Sequence, residues 1–134
     1  MVFEVLGRIW RLQRALREEA ERGLGELGGL GGLEAWLLRV LKHHPHPSEA
    51  ARRMGLPLPT VSHMLRRLEG AGFVARALDE KDLRRFAFRL TPKGEEALAQ
   101  AEALMEEALR KRLSRLSPEE VQALLRLLEK LEEP

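Results

Sequence analysis

The sequence predicts a mainly α-helical chain with one small β-hairpin, and three stretches carry that expectation. The first is SEAARRMG, a short helix from about Ser48 to Met54 that stops at Gly55, a residue suited to the left-handed conformation that closes helices. The second follows a two-proline turn. Pro59 opens a helix at its first position, where proline has no hydrogen bond to lose, and Val61, Met64, Leu65 and Leu68 recur at i, i+3, i+4 and i+7. The third is a pair of strand-like runs, about Phe73–Ala77 and Arg84–Leu90, on either side of the polar loop LDEKDL. In the second run Phe86, Phe88 and Leu90 fall on one face and Arg85, Ala87 and Arg89 on the other. Helix, tight turn, helix and charged-tip hairpin make a winged helix-turn-helix, whose second helix is built to enter a DNA major groove.

Ahead of this unit, residues 3–22 form a helix. Phe3, Leu6, Ile9, Trp10, Leu12 and Leu16 lean to one side, while Arg8, Arg11, Arg14, Arg17, Glu18 and Glu21 cover much of the other. Six glycines between Gly23 and Gly32 follow. A G-x-G-x-x-G match can be placed on Gly23, Gly25 and Gly28, but that fingerprint needs a strand before it and a helix stands there instead. The run is read as a hinge-like connector.

The next helix spans Leu33 to Lys42, with Ala35, Trp36, Leu38 and Leu41 inward, and ends in HHPHPS. His43, His44 and His46 are of a type that ligates zinc or nickel. Pro45 and Pro47 hold the chain extended and point neighbouring side chains apart, so the stretch is read as a helix-stop loop and no metal site is assigned.

Beyond the hairpin, Thr91 is the N-cap and Pro92 the first residue of a helix reaching about Leu116. Leu98, Ala101, Met105, Ala108, Leu109, Leu113 and Leu116 give it a continuous apolar edge. Ser117-Pro118-Glu119-Glu120 is a capping box, so a last helix begins at Pro118, with Val121, Leu124, Leu125, Leu128 and Leu131 inward and Leu127 adding apolar surface. Helices this leucine-rich do not stay solvated. Either they fold back on their own domain or, the favoured reading, they join the first helix in a homodimer interface. The division is then 1–32 for the first helix and connector, 33–94 for the DNA-binding domain, and 95–134 for the C-terminal helices of the dimerisation arm.

The bulk properties narrow the classes. A chain of 134 residues suits one domain with an arm. Hydrophobic content of 44% beside 33% charged residues excludes a disordered chain. No apolar run approaches the roughly 20 residues that cross a bilayer. The start, MVFEVLGRIWRLQ, acquires charge early and lacks a small-residue cleavage site, so the cytoplasm is expected and no membrane partner. Without cysteine there is no disulfide, thiolate metal site or thiol peroxide sensor. Net charge is +2, but residues 47–91 carry nine Lys/Arg against five Asp/Glu, while residues 92–134 carry seven against ten. The positive excess sits where phosphate would be met.

Thr60, Ser62 and His63 lie near the start of the second helix of the unit, where side chains reach base edges and backbone amides favour phosphate. Arg66 or Arg67 can pair with guanine or clamp a phosphate. Arg84 at a hairpin tip suits the negative potential of a narrow minor groove, and Lys81 and Arg85 add charge beside it. Asp82 can accept hydrogen bonds from the hairpin backbone or from Arg84. No nucleophile–base pair, phosphate loop or metal triad is present in the sequence, so an enzyme is not expected and no cofactor is assigned.

The order of these elements, with SEAARRMGL, LRRLEGAGFV and RALDEKDLRRFAFRLTPKGEEAL, resembles the multiple-antibiotic-resistance regulator (MarR) family of winged-helix transcription factors. The resemblance covers nearly the whole chain. Its most specific part is Asp82-x-Arg84 followed by Leu90-Thr91-x-x-Gly94. It implies a homodimer on a pseudo-palindromic operator in double-stranded DNA, released by a small anionic or phenolic effector. It places the helix from Pro59 to Arg67 in the major groove and the wing arginine in the adjacent minor groove. Absence of tyrosine weighs against a phenolic pocket. The expected function is a sequence-specific regulator, a repressor before an activator. An architectural DNA binder of little base preference and a protein-interaction winged helix are the alternatives.

Overall fold

The computed structural model describes residues 1–24, 30–79, 81–82 and 85–134. Gly25 and Gly28 of the glycine run, and Arg84 of the hairpin tip, lie outside the described residues. Among those described, the order is α1 (Val2–Leu24), α2 (Gly32–His43), α3 (Pro47–Met54), α4 (Leu58–Gly70), β1 (Val74–Leu78), β2 (Phe86–Leu90), α5 (Pro92–Leu113) and α6 (Pro118–Glu132).

The helix ends follow local chemistry. α3 carries Pro47 at its start and closes on Gly55, which sits at φ 67 in the left-handed region. α4 begins one residue earlier than the sequence suggests: Pro57 is the N-cap, its carbonyl accepting the Thr60 and Val61 amides, and Pro59 takes the second helical position. Neither position asks an N–H of proline that the helix needs. α4 ends at a turn in which Gly72 adopts φ 84 and the Phe73 amide returns to the Leu68 carbonyl at 2.9 Å. Thr91 caps α5 by accepting the Gly94 amide at 3.1 Å, and Ser117 and Glu120 form the expected reciprocal box at the start of α6.

The core is built by α2, α3, α4, the hairpin and the first half of α5. Leu37, Leu38, Ala50, Val61, Leu65, Leu68, Leu98 and Ala101 are all buried there. All four stripe positions of α4 are buried as expected. β1 and β2 pair antiparallel with Val74 opposite Leu90 and Leu78 opposite Phe86. The expected alternation of β2 does not hold. Ala87 and Phe88 are both buried, while Phe86 is about half exposed. α2 and α5 both pack on this strand, and its free edge is taken by the helix-stop loop, where the Phe88 amide donates to the Pro45 carbonyl at 2.8 Å. Burial along β2 is therefore not confined to one face.

α1 lies along α5, where Arg112 donates to both carboxylate oxygens of Glu19 at 3.0 and 2.8 Å. Towards its start α1 leaves Phe3, Ile9, Trp10 and Leu12 open, and α6 has no fully buried residue, with Val121, Ala123 and Leu124 only partly covered.

Candidate nucleic-acid interface

The open side of α4 is held by what lies beneath it. With Val61, Met64, Leu65 and Leu68 locked inward, Pro59, Thr60, His63 and Arg66 are exposed and Ser62 is half-buried. Of these, Ser62 and Arg66 line a cleft shared with the hairpin. A cleft of about 410 Å3 runs between α4, the start of α3 and the hairpin, with Ser48, Ser62, Arg66, Arg76, Arg85 and Phe86 among its walls. The structure thus brings Arg66 of the helix and Arg85 of the wing to one cleft, although 19 positions separate them in the chain.

Arg76 was not singled out by the sequence. Its guanidinium lies 5.3 Å from the Phe86 ring centre and 5.5 Å from that of Phe88, and 3.3 Å from the Glu69 carboxylate. Cation–π stacking of this kind keeps the charge over the strand and covers the half-exposed Phe86.

The wing is set at its base by Asp79 rather than by Asp82 alone. Asp79 accepts the Lys81 amide at 2.8 Å, and its other carboxylate oxygen lies 3.0 Å from Nε2 of His46. Nδ1 of the same imidazole lies 3.3 Å from the Phe86 carbonyl. Two backbone bonds, Asp79 amide to Arg85 carbonyl at 2.9 Å and Arg85 amide to Asp82 carbonyl at 3.0 Å, close the described part of the loop. His46 thereby serves the wing, while His44 turns to Glu49 at 3.0 Å. Among the described residues no group of three His, Asp or Glu gathers as a metal would require. The Asp-x-Lys spacing, an Asx-turn signal, could have pointed to Asp79 in the sequence.

The Lys81 amide, followed by the charges of His46 and Arg85, holds the Asp79 carboxyl below the usual carboxylate range. A depressed carboxyl adds stability that is complete above its ordinary value and is lost as pH falls through the lowered one. The protection of the Lys81 amide against exchange, relative to an unstructured amide at the same pH, is therefore expected to fall in acid, below the ordinary carboxylate pKa of about 4. Asp79→Asn should abolish that acid step, and an acid step surviving the substitution would assign it elsewhere.

Lys81 is exposed and Asp82 partly so. Arg67 has a different setting from the rest of the helix face. Its Nε donates to Oε2 of Glu34 in α2 at 2.8 Å, and its terminal nitrogen bonds the other carboxylate oxygen.

Residues 28–85 match the family model described as MarR family. No curated protein sequence matches the chain. Among solved structures, the transcriptional repressor CouR bound to a 23-mer DNA duplex superposes with a TM-score of 0.85 at 28% identity, over 98% of this chain and 95% of that one. The transcriptional regulator BldR from Sulfolobus solfataricus gives 0.84 at 25% identity, over 96% and 92%. A mutant MarR from E. coli complexed with operator DNA shares the fold, with a TM-score of 0.84 at 23% identity over 96% and 94%.

Proposed function

We propose that the protein is a DNA-binding transcriptional regulator, a reading supported by the match of residues 28–85 to the MarR-family model and by the likeness of the fold to BldR and CouR over nearly all of the chain. It binds a pseudo-palindromic operator as a homodimer and acts as a repressor, as CouR is described to be. The observation that carries this reading is the exposed polar face of α4 beside a basic hairpin, above a stripe that is wholly buried. The helix is fixed from below and exposed above, the arrangement by which such helices read a major groove.

Residues 33–94 form the DNA-binding unit in this reading, and α1 with the helices of 95–134 form the dimerisation arm. Pro59, Thr60, Ser62 and His63 stand where the start of the recognition helix meets base edges, and Arg66 supplies a guanine or phosphate contact. Lys81, Arg84 and Arg85 carry the wing to the adjacent minor groove, with Asp82 shaping its backbone. A small-molecule effector has a candidate place between α2 and α5. There Trp36, Leu98, Met105 and Leu109 line a cleft of about 350 Å3, and Arg39 and Glu102 bridge at 3.4 Å across its rim. The reading involves no catalysis and places the protein in the cytoplasm, where its operator is. No helix among the described residues is long and apolar enough to cross a membrane.

The test is fluorescence anisotropy on a duplex of the gene's own upstream region against a shuffled duplex, over a salt series. A specificity ratio of about a thousand or more, with two chains per duplex, is expected. Equal and steeply salt-dependent binding to both would favour the architectural alternative. Binding to neither at low salt would turn attention to a protein partner. On the native duplex, Arg84→Ala should weaken binding by about 1–3 kcal/mol. Unchanged affinity in a folded variant would remove the wing contact.

A further inference from the structure

One carboxylate joins the start of α2 to the last turn of α4. Glu34 accepts the amide of Gly31, the residue at which the chain enters α2, at 3.1 Å. The same carboxylate takes Arg67 through both of its oxygens. Its side chain is 12% exposed against 54% for that of Arg67, so Glu34 is the anchored member and Arg67 reaches across to it. The bond to Glu34 also holds the Arg67 guanidinium above its ordinary pKa.

Leu65 and Leu68 share the core with Leu37 and Leu38. Apolar packing resists separation but has little directional preference. A two-point guanidinium–carboxylate pair fixes both distance and orientation.

We propose that Glu34 is a positioning residue for DNA binding. Through Arg67 it sets the rotation and depth of the recognition helix, and through Gly31 it ties that setting to the chain arriving from α1. The inference rests on the DNA-binding reading above. It also assigns Arg67 to bracing α4 against α2, and leaves Arg66 as the arginine of that helix offered to DNA.

A phosphate contact by Arg67 would predict the opposite behaviour, and a double-substitution cycle over a salt series separates the two. Glu34→Ala, Arg67→Ala and the pair are compared with the unsubstituted protein on the operator duplex. Each single change is expected to weaken binding about tenfold, with the pair no weaker than either single. The slope of log affinity against log salt should stay unchanged, because no phosphate contact is lost. Glu34→Gln keeps the cap acceptor and one bond to Arg67, so it should fall between.

Amide shifts along α4 should move in Glu34→Gln, a change that loss of stability alone does not produce. If Arg67 met phosphate, Arg67→Ala would lower the slope by about 0.9 and Glu34→Ala would leave affinity intact or improve it. Either result, or additive single effects, overturns the proposal. Should Glu34→Ala fail to fold, Glu34→Gln decides: native affinity with unmoved α4 shifts overturns it. If the unsubstituted protein binds no duplex, the DNA-binding reading fails and this inference with it. Normal operator binding with insensitivity at Glu34 defeats the inference alone.

Discussion

Gly94→Ala is expected to destabilise the protein by about 3 kcal/mol or more, the upper range for forcing extra volume into a packed site. Gly94 is buried in the first turn of α5, and a Cβ there would lie 2.0 Å from the Phe73 carbonyl oxygen. That carbonyl cannot retreat freely, because it accepts the Thr91 amide at 3.1 Å. Thr91 is held in turn: its hydroxyl donates to the Gly72 carbonyl at 2.5 Å and accepts the Gly94 amide. Lys93 closes the other side, with Nζ 2.6 Å from the Ala71 carbonyl and 4.7 Å from the Phe73 ring centre. The added methyl must therefore break a cap or push α5 off the hairpin. A thermal melt should fall by roughly 10 °C. Gly70→Ala is the control. Nothing lies within 4 Å of its added Cβ, and a melt at or above that of the native protein is expected. Equal melting of the Gly94 variant and the native chain would refute the close approach.

The second large effect is expected from α6. Leu125 and Leu128 are 49% and 43% exposed, and no residue of the helix is buried within its own chain. A helix with this apolar edge, of which only Val121, Ala123 and Leu124 are partly covered within the chain, is expected to draw further stability from a partner. The combined change Leu125→Asp and Leu128→Asp places two charges where a second subunit would pack. Monomers are expected in sedimentation at micromolar concentration. Operator affinity should fall by a factor of about 100 or more, because the second half-site is no longer reached by a tethered helix. A dimer of native affinity carrying both aspartates would place the subunit interface elsewhere. Monomers with full affinity would mean that one recognition helix suffices.

Much of the architecture is legible in the residues because the signals are local. The α4 stripe follows the 3.6-residue period, the Ser117–Glu120 box is complete within four residues, and Gly55 needs only its own φ. The Leu90-Thr91-x-x-Gly94 signature was also visible, but its physical content was not. Gly94 is required by a carbonyl from the other strand's entry, 21 positions upstream. What the sequence hides is of that kind. The Glu34–Arg67 pair spans 33 positions and the His46–Asp79 contact also 33, and no periodicity announces either. The β2 alternation misled for a related reason, since period-two reasoning assumes one covered face while α2, α5 and the Pro45 loop all approach this strand.

The Glu19–Arg112 bridge carries a consequence for the making of the chain. Its partners are 93 positions apart, so α1 leaves the ribosome long before the helix it lies on. At about 5–20 residues per second, that interval is roughly 5–20 s. The middle of the chain can collapse meanwhile, since α2, α3, α4 and the hairpin contact near neighbours. Phe3, Ile9 and Trp10 wait uncovered throughout. α1 is thus made well before α5, and its contact with that helix closes only after the helix-turn-helix and hairpin have been made.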